Sequence, residues 1–158
     1  MRTIAVALVV AAWFGASLLF SATVAPTAFA VLPSRTLAGA VLGPVFPVLF
    51  IGGLIAGLLA IADGALSSTA LGYWRLGAGV VMTITSGIAQ FIILPSIERV
   101  RASIAGAVDA LAADDSRRLA FGRLHGLSVA CLGIALLGAA VIMICAGVGA
   151  AREPVRPL

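Results

Sequence analysis

The chain has 158 residues, of which 62% are hydrophobic and 10% are charged, and its formal net charge is +4. A soluble domain carries about 25% charged residues, so this composition excludes a soluble globular protein. It indicates one integral membrane domain, residues 1–151, followed by a polar tail, residues 152–158. Every basic residue is an arginine, and the basic loop lacks aromatic residues that stack on bases. The predicted partner is therefore the lipid bilayer and not nucleic acid.

Four apolar runs exceed the roughly 18 residues that a helix needs to cross a bilayer. They predict membrane-spanning helices at residues 4–31, 38–62, 72–94 and 119–150, hereafter spans one to four. The expected fold is an all-α integral membrane protein, a four-helix transmembrane bundle. For the first run, a signal peptide cleaved after Ala28-Phe29-Ala30 is the alternative, but the run is longer than the usual core of about 7–15 residues.

Four spans place both termini on one side of the membrane. Six of the ten arginines then lie on the other side, and cytoplasmic loops collect arginine. We therefore predict a multi-pass protein of a bacterial-type inner (cytoplasmic) membrane, with residues 95–118 in the cytoplasm.

Five prolines are expected to interrupt the helices, because proline lacks an amide hydrogen and crowds the preceding turn. The first should kink or end span one, and the second lies in the turn before span two, where Ser34 is the predicted N-cap. The third and fourth should bend span two near its start, and the last should close span three. These helix-break candidates are Pro26, Pro33, Pro44, Pro47 and Pro95.

Span two contains two pairs of glycines spaced four apart, Gly39/Gly43 and Gly53/Gly57. Such pairs let another helix approach closely, and they favour packing against further membrane subunits or a second copy of the chain. Asp63 is assigned to a short polar connection after this span, at the edge of the membrane.

Polar residues mark both ends of span three. At its start, Tyr73-Trp74-Arg75 is typical of an interfacial anchor, with amphipathic rings and a cation reaching the headgroups. Farther along, Thr83, Ser86 and Gln90 recur at a spacing that puts them on one face. Gln90 should point into the bundle, either as a hydrogen-bonding contact between helices or as part of a site.

An additional helix is predicted between spans three and four, at residues 96–113. Its apolar stripe runs from Ile97 through Val100 and Ile104 to Leu111, with charged residues off the stripe. This helix is expected either to lie in the interface plane or to continue span three beyond the membrane.

Several short motifs resemble, in order and spacing, the TMEM205-like membrane proteins, whose bacterial members are often described as DUF4149. The resemblance covers about residues 15–138 and implies four membrane helices with no settled biochemical activity. Two positions depart from the family pattern: Leu132 and Gln90 stand where its members commonly have asparagine. The motifs are Ala25-Pro26-x-x-Phe29, Leu32-Pro33-x-x-Thr36, Phe46-Pro47 and Phe121-x-x-Leu-His-Gly-Leu-Ser128.

The single histidine, His125, is the one side chain able to titrate near neutral pH. At about 1.5 Å per residue, it lies within roughly 3 Å of the depth of Gln90, which predicts an inward-facing polar cluster. His125 would either be a hydrogen-bonded rim residue or take part in a ligand or proton path. The candidate members of the cluster are His125, Ser128, Gln90, Ser86, Thr23 and Thr27.

No cofactor and no metal site is predicted, although haem or metal ligation by His125 is a subordinate alternative. One histidine cannot supply two axial haem ligands without a symmetric partner. The chain lacks the G-x-S-x-G, HExxH and phosphate-loop motifs, so we predict that it is not an enzyme.

Two functions stay open. The first is a structural, assembly or interaction subunit of a membrane complex, acting as a homo-oligomer or with other membrane subunits. The glycine pairs and the scarcity of intramembrane charge favour this first function. The second is a small-molecule or ion transporter, or a ligand-binding membrane protein, which would use a polar pocket around His125. The convergence of proline breaks on one end of the bundle favours the second.

Overall fold

The computed structural model describes residues 1–152, and the polar tail predicted for residues 152–158 lies outside this part except for Arg152. The described chain contains four helices that are long and apolar enough to cross a membrane, which confirms the predicted bundle. We label the helices α1 to α5, with α2 a short helix between the first two spans. They are α1 Arg2–Val31, α2 Arg35–Leu42, α3 Val45–Ala65, α4 Ala70–Ala102 and α5 Ser116–Arg152.

The core lies where α3, α4 and α5 pack together, with α1 closing the bundle against α3 and α5. Val10, Phe50, Met82, Ala135 and Ile142 are fully buried there. Many leucine, isoleucine and valine side chains are exposed on the surface of the bundle, as expected where the surrounding solvent is lipid.

Glycines bring α3 and α4 into backbone contact. A Cβ atom placed on Gly64 would lie 2.6 Å from the backbone nitrogen of Leu76, and one on Gly79 would lie 2.9 Å from the carbonyl oxygen of Gly57. Since real Cβ atoms do not approach backbone atoms this closely, only glycine permits this packing.

Two of the five prolines do not end their helices. For Pro95 this contradicts the prediction that it closes span three, whereas Pro26 was predicted to kink or end span one. Pro26 and Pro95 each come just after a π-helical turn, Phe20–Val24 and Ala89–Ile93, in which one amide bonds to the carbonyl five residues back. The wider turn accommodates the lost amide hydrogen of proline. The helix therefore continues past Pro26 to Val31, and past Pro95 to Ala102.

The other prolines divide the predicted second span into two helices. Pro33 lies in the turn after α1, and the Ser34 hydroxyl accepts a hydrogen bond from the Leu37 amide at 3.1 Å, which confirms the predicted N-cap. Pro44 occupies the N-cap of α3, and Pro47 lies in its first turn, where an amide hydrogen is not needed. The result is a break between α2 and α3 instead of one bent helix.

The helix predicted at residues 96–113 is shorter than expected. Its first part is the end of α4, which stops at Ala102, and residues 103–115 form a loop with a single 3-10 turn at Val108–Ala110. The Ser103 hydroxyl donates to the Val100 carbonyl at 2.7 Å, and Gly106 adopts a left-handed φ of 116°. The Ser103 hydrogen bond caps the end of the helix, and Gly106 turns the loop that follows, so the apolar stripe is only partly helical.

Candidate functional site

One end of the bundle contains a cavity of about 650 Å³. It lies between the end of α1, the short helix α2, the end of α4, the loop at residues 103–115 and the first half of α5. This volume falls within the roughly 300–1,000 Å³ typical of small-molecule sites. The separate helix α2 and the part of α4 beyond Pro95 each contribute one wall of this space.

The walls of the cavity are apolar. Phe20 and Phe46 meet edge to face, with ring centroids 5.3 Å apart, and Phe121 forms part of the opposite wall. Leu132 and Leu136 continue this wall along α5 toward the middle of the bundle. A ligand here would therefore need a hydrophobic body.

Charged side chains are confined to the outer end of the cavity. Three arginines face two acids, which leaves a formal excess of one positive charge. These lining residues are Arg35, Arg101, Arg118, Glu98 and Asp109.

Arg101 is held in place at this outer end by its neighbours. Its guanidinium lies over the ring of Phe121, with 5.9 Å between Cζ and the ring centroid. A Cβ on Gly39 would lie 3.5 Å from Nη2, so the glycine face of α2 provides room for this group. One nitrogen, Nη1, contacts Oε1 of Glu98 at 3.2 Å; the Glu98 side chain is 65% exposed and that of Arg101 39% exposed.

His125 lies deeper on α5 and is half-buried. Its ring stacks parallel to that of Phe121, with centroids 6.4 Å apart and an angle of 4°. The hydroxyl of Ser128 donates to the His125 carbonyl at 2.7 Å. Because Ser128 binds the backbone of its own helix, its hydroxyl does not anchor a bond between helices.

The structure separates the six residues of the predicted cluster. Only His125 and Ser128 line the cavity. Thr23 and Thr27 are exposed and border a shallow groove on another side of α1, so they do not join His125. Ser86 and Gln90 lie on the inward face of α4 but are not among the residues lining the cavity.

The predicted polar face of span three does point inward, but its oxygens are not hydrogen-bonded within residues 1–152. The unpaired atoms are the hydroxyls of Thr83 and Ser86 and Oε1 of Gln90. Ser86 instead lies against Gly53, where a Cβ would come within 2.6 Å of its hydroxyl oxygen. Small polar side chains thus fill the space that the glycines of α3 leave.

The opposite end of the bundle contains a buried ion cluster that the sequence did not lead us to predict. Asp63 belongs to α3, not to a loop, and only 1% of its side chain is exposed. Its Oδ1 accepts from Arg2 Nε at 2.9 Å and from Thr3 Oγ1 at 3.0 Å, and its Oδ2 accepts from Arg75 Nε at 2.9 Å. We call these four residues, Arg2, Thr3, Asp63 and Arg75, the Asp63 cluster.

The prediction that Arg75 is an interfacial anchor was therefore wrong. Its side chain is buried, with only 7% exposed, and does not reach the headgroups. Tyr73 and Trp74 are exposed as an anchor requires. The sequence does carry a signal for the ion pair. Asp63 ends one apolar run, and Arg75 begins the next, twelve residues later. When a short turn joins two antiparallel helices, residues placed in this way lie at the same depth.

Metal ligation finds no support in the arrangement of side chains. Within residues 1–152, no three histidine, cysteine or acidic residues group closely enough to hold a metal ion. Cys131 and Cys145 are buried and free. The absence of a cofactor stays a prediction.

Comparison with known proteins identifies a family to which most of the chain is similar. The family described as "Domain of unknown function (DUF4149)" matches residues 8–105. No curated protein and no solved structure matches the chain. The matched residues end before His125, so the resemblance of that stretch to TMEM205-like proteins stays a prediction.

Proposed function

The chain belongs to the DUF4149 family, and from this premise we propose that it is a multi-pass membrane protein that binds an amphiphilic small molecule beside His125. The observation that carries the proposal is the cavity itself. Its long wall is apolar and its charges lie at one end, which is the pattern of a molecule with a hydrophobic body and a polar head.

The contacts of the glycines in the two predicted pairs favour ligand binding over assembly with other subunits. Gly53 and Gly57 are used within the chain, against Trp13 and Thr83 respectively, and Gly39 faces Arg101. These pairs were one of the two reasons to expect partner subunits, together with the scarcity of intramembrane charge, and they are occupied by internal contacts. Assembly with a second copy or other subunits stays a prediction, without a specific surface to carry it.

Other glycines keep the cavity open. A Cβ on Gly122 or Gly133, both of which line the cavity on α5, would meet no atom within 4 Å. A side chain added there would extend into empty space without disturbing the packed core. We therefore expect a large side chain at Gly133 to reduce the space in the cavity while the fold is kept.

Native mass spectrometry of the protein released from mild detergent tests the proposal. We expect wild-type protein to retain a co-purified amphiphile, and Gly133→Leu to lose most of it because leucine occupies the cavity. Gly147→Leu is the matched control: it lies on the same helix, also has open space around its Cβ, and does not line the cavity. Equal retention in the two variants would contradict the proposal.

The membrane is proposed to be a bacterial-type cytoplasmic membrane, with the cavity end toward the cytoplasm. Support comes from the six arginines at that end. A periplasm-specific reporter enzyme fused at the C-terminus should be active, and activity of a cytoplasm-specific reporter there would reverse the orientation.

A further inference from the structure

We propose that the amphiphile is an anionic phospholipid, with its phosphate bound by Arg101 and Arg35 and one acyl chain lying along α5. This inference rests on the proposed function and names the ligand class for the same cavity. Three features carry it: the charges at the outer end, the length of the apolar wall and the exposure of two apolar residues that line the cavity.

The charges at the outer end favour an anion. Arg118 donates from Nη1 to the Leu111 carbonyl at 2.8 Å and is engaged by the loop. Arg101 uses Nη1 for one exposed acid, Glu98, while its Nη2 points along the glycine face of α2 inside the cavity. Arg35 is exposed at the start of α2 and lines the same space.

Guanidinium groups suit a phosphate in particular. Their planar donors match phosphate oxygens in pairs, and they are less strongly hydrated than ammonium groups. Phe121 beneath Arg101 holds the guanidinium plane in place. A phosphate that approaches from the lipid side would contact the guanidinium of Arg101, whose other face rests on Phe121. The exposed side chain of Arg35 could then bind the same phosphate.

The apolar wall has the length of one leaflet. On α5 it runs from His125 to Leu136, eleven residues that span about 17 Å at 1.5 Å each. Half of the roughly 30 Å hydrocarbon core is about 15 Å. An acyl chain that begins beside His125 would therefore end near the middle of the membrane, as the chain of an ordinary phospholipid does.

Two apolar residues that line the cavity are left uncovered by the described chain. Phe29 on α1 and Val129 on α5 are 45% and 54% exposed, and the proposal places a lateral opening toward the bilayer between them. A lipid can enter between these helices while its second chain stays in the surrounding bilayer. A lipid of the same leaflet fits this lateral opening better than a soluble phosphate compound, which would have to approach from the aqueous end.

Competition between two lipids tests the inference. Protein in mild detergent is offered equimolar phosphatidylglycerol and phosphatidylcholine with identical acyl chains, and bound lipid is counted by native mass spectrometry. We expect wild-type protein to prefer phosphatidylglycerol by about tenfold, the size of one charge-assisted hydrogen bond. Arg101→Gln and Arg35→Gln should each reduce this preference. They should weaken phosphatidylglycerol binding more than phosphatidylcholine binding, because the choline cation already balances the phosphate charge of phosphatidylcholine.

Arg123→Gln is the matched control, because Arg123 lies on the same turn of α5 as Phe121 but does not line the cavity. It should keep the preference. Arg101→Lys, which keeps the charge but not the paired donors, should give an intermediate value. Circular dichroism and a single gel-filtration peak are used to check that each variant is folded. Because Arg35 is exposed, its substitution should not disturb the packing.

Several results would overturn the inference, and they differ from failure of the proposed function. Equal binding of both lipids, still abolished by Gly133→Leu, would leave amphiphile binding standing and remove the anionic head. Displacement of phosphatidylglycerol by millimolar inorganic phosphate would assign the site to a soluble anion. Lipid retention unaffected by Gly133→Leu would remove both proposals.

Discussion

The two ends of the bundle use the same residue types in opposite ways. At one end, Asp63 and Arg75 neutralise each other out of contact with solvent, and Gly64 lies against the backbone of α4. At the other end, Arg101 remains partly exposed above an apolar cavity, and Gly133 faces empty space.

This contrast assigns a different task to each end. Closed packing around a buried ion pair holds α3 and α4 together, whereas open space beside partly exposed arginines is available to a ligand. The residue type alone therefore does not determine what an arginine or a glycine does in this chain. Its role depends on whether a neighbouring helix packs against it.

Breaking the Asp63 cluster should have the largest effect. Asp63→Ala leaves Arg75 buried without a counter-charge, and we expect a loss of about 3–5 kcal/mol in the free energy of unfolding. Denaturation in detergent micelles measures this loss. The double change Asp63→Leu with Arg75→Leu should recover most of it, because no charge is then left unpaired.

Arg2→Ala is the control for this prediction. The Arg2 side chain is 54% exposed, so its loss should cost no more than about 1 kcal/mol. If Arg2→Ala and Asp63→Ala destabilised the protein equally, the buried pair with Arg75 would not be the main stabilising contact.

Replacing glycine by alanine should have the next largest effect and should differ in sign between the two ends of the bundle. At Gly64 the new Cβ would lie 2.6 Å from Leu76 N and 2.7 Å from Gly72 O, and overpacking of this kind costs about 1–3 kcal/mol. Gly133→Ala meets nothing and should stabilise α5 by up to about 1 kcal/mol, the difference in helix propensity. The same denaturation assay compares them, and similar changes in both variants would contradict the contrast between closed and open ends.

Asp115 is a partly exposed counterpart to Asp63, and its ion pair should have the smallest effect on stability. Its side chain accepts from the side chain and backbone amide of Arg117, and these bonds lower its pKa to about 2. An acid with a lowered folded pKa stabilises the fold above its unfolded pKa of about 4. That contribution is lost as the pH falls from about 4 to 2, and it is constant from pH 5 to 8.

Carboxyl chemical shifts measured by NMR in micelles test the Asp115 value. Asp115 should titrate near pH 2 in the wild type and at a higher pH, still below about 4, after Arg117→Gln, because the backbone amide of residue 117 still donates to it. A titration near pH 4 in both proteins would show that the pair does not form in solution.

The sequence was sufficient for the four spans and for the N-cap at Ser34, because each depends on a local property. Runs of apolar residues determine membrane insertion whatever their neighbours, and Ser34 needs only the amide of Leu37. The same holds for the inward face of Thr83, Ser86 and Gln90, which results from helical spacing.

The polar cluster around His125 could not be predicted in the same way. Counting residues gives the depth of a side chain in the membrane but not its direction around the helix. The π-turns at residues 20–24 and 89–93 add a residue to α1 and α4, which rotates the later side chains of each helix by about 100° relative to a regular helix. Thr27 thereby faces outward, away from His125.

The Asp63 cluster needed tertiary information of another kind. Asp63 and Arg75 each stand at the end of an apolar run, where an isolated helix would expose them to headgroups. Their burial results from the contact of Gly64 with the α4 backbone, which depends on two helices at once. The prediction of helix breaks had the same limitation. The rule that proline ends a helix does not include the wider π-turn that keeps the helix continuous past Pro26 and Pro95.

The two π-turns also bear on how sequences of this family should be aligned. Removing one residue from such a turn converts its five-residue hydrogen-bond step into the ordinary four-residue step, and every later side chain keeps its orientation. Elsewhere in a span, a deletion would turn the remainder of the helix by about 100° and expose its buried face. Single-residue gaps should therefore be placed just before Pro26 and Pro95, where a change in chain length leaves the packing of the bundle intact.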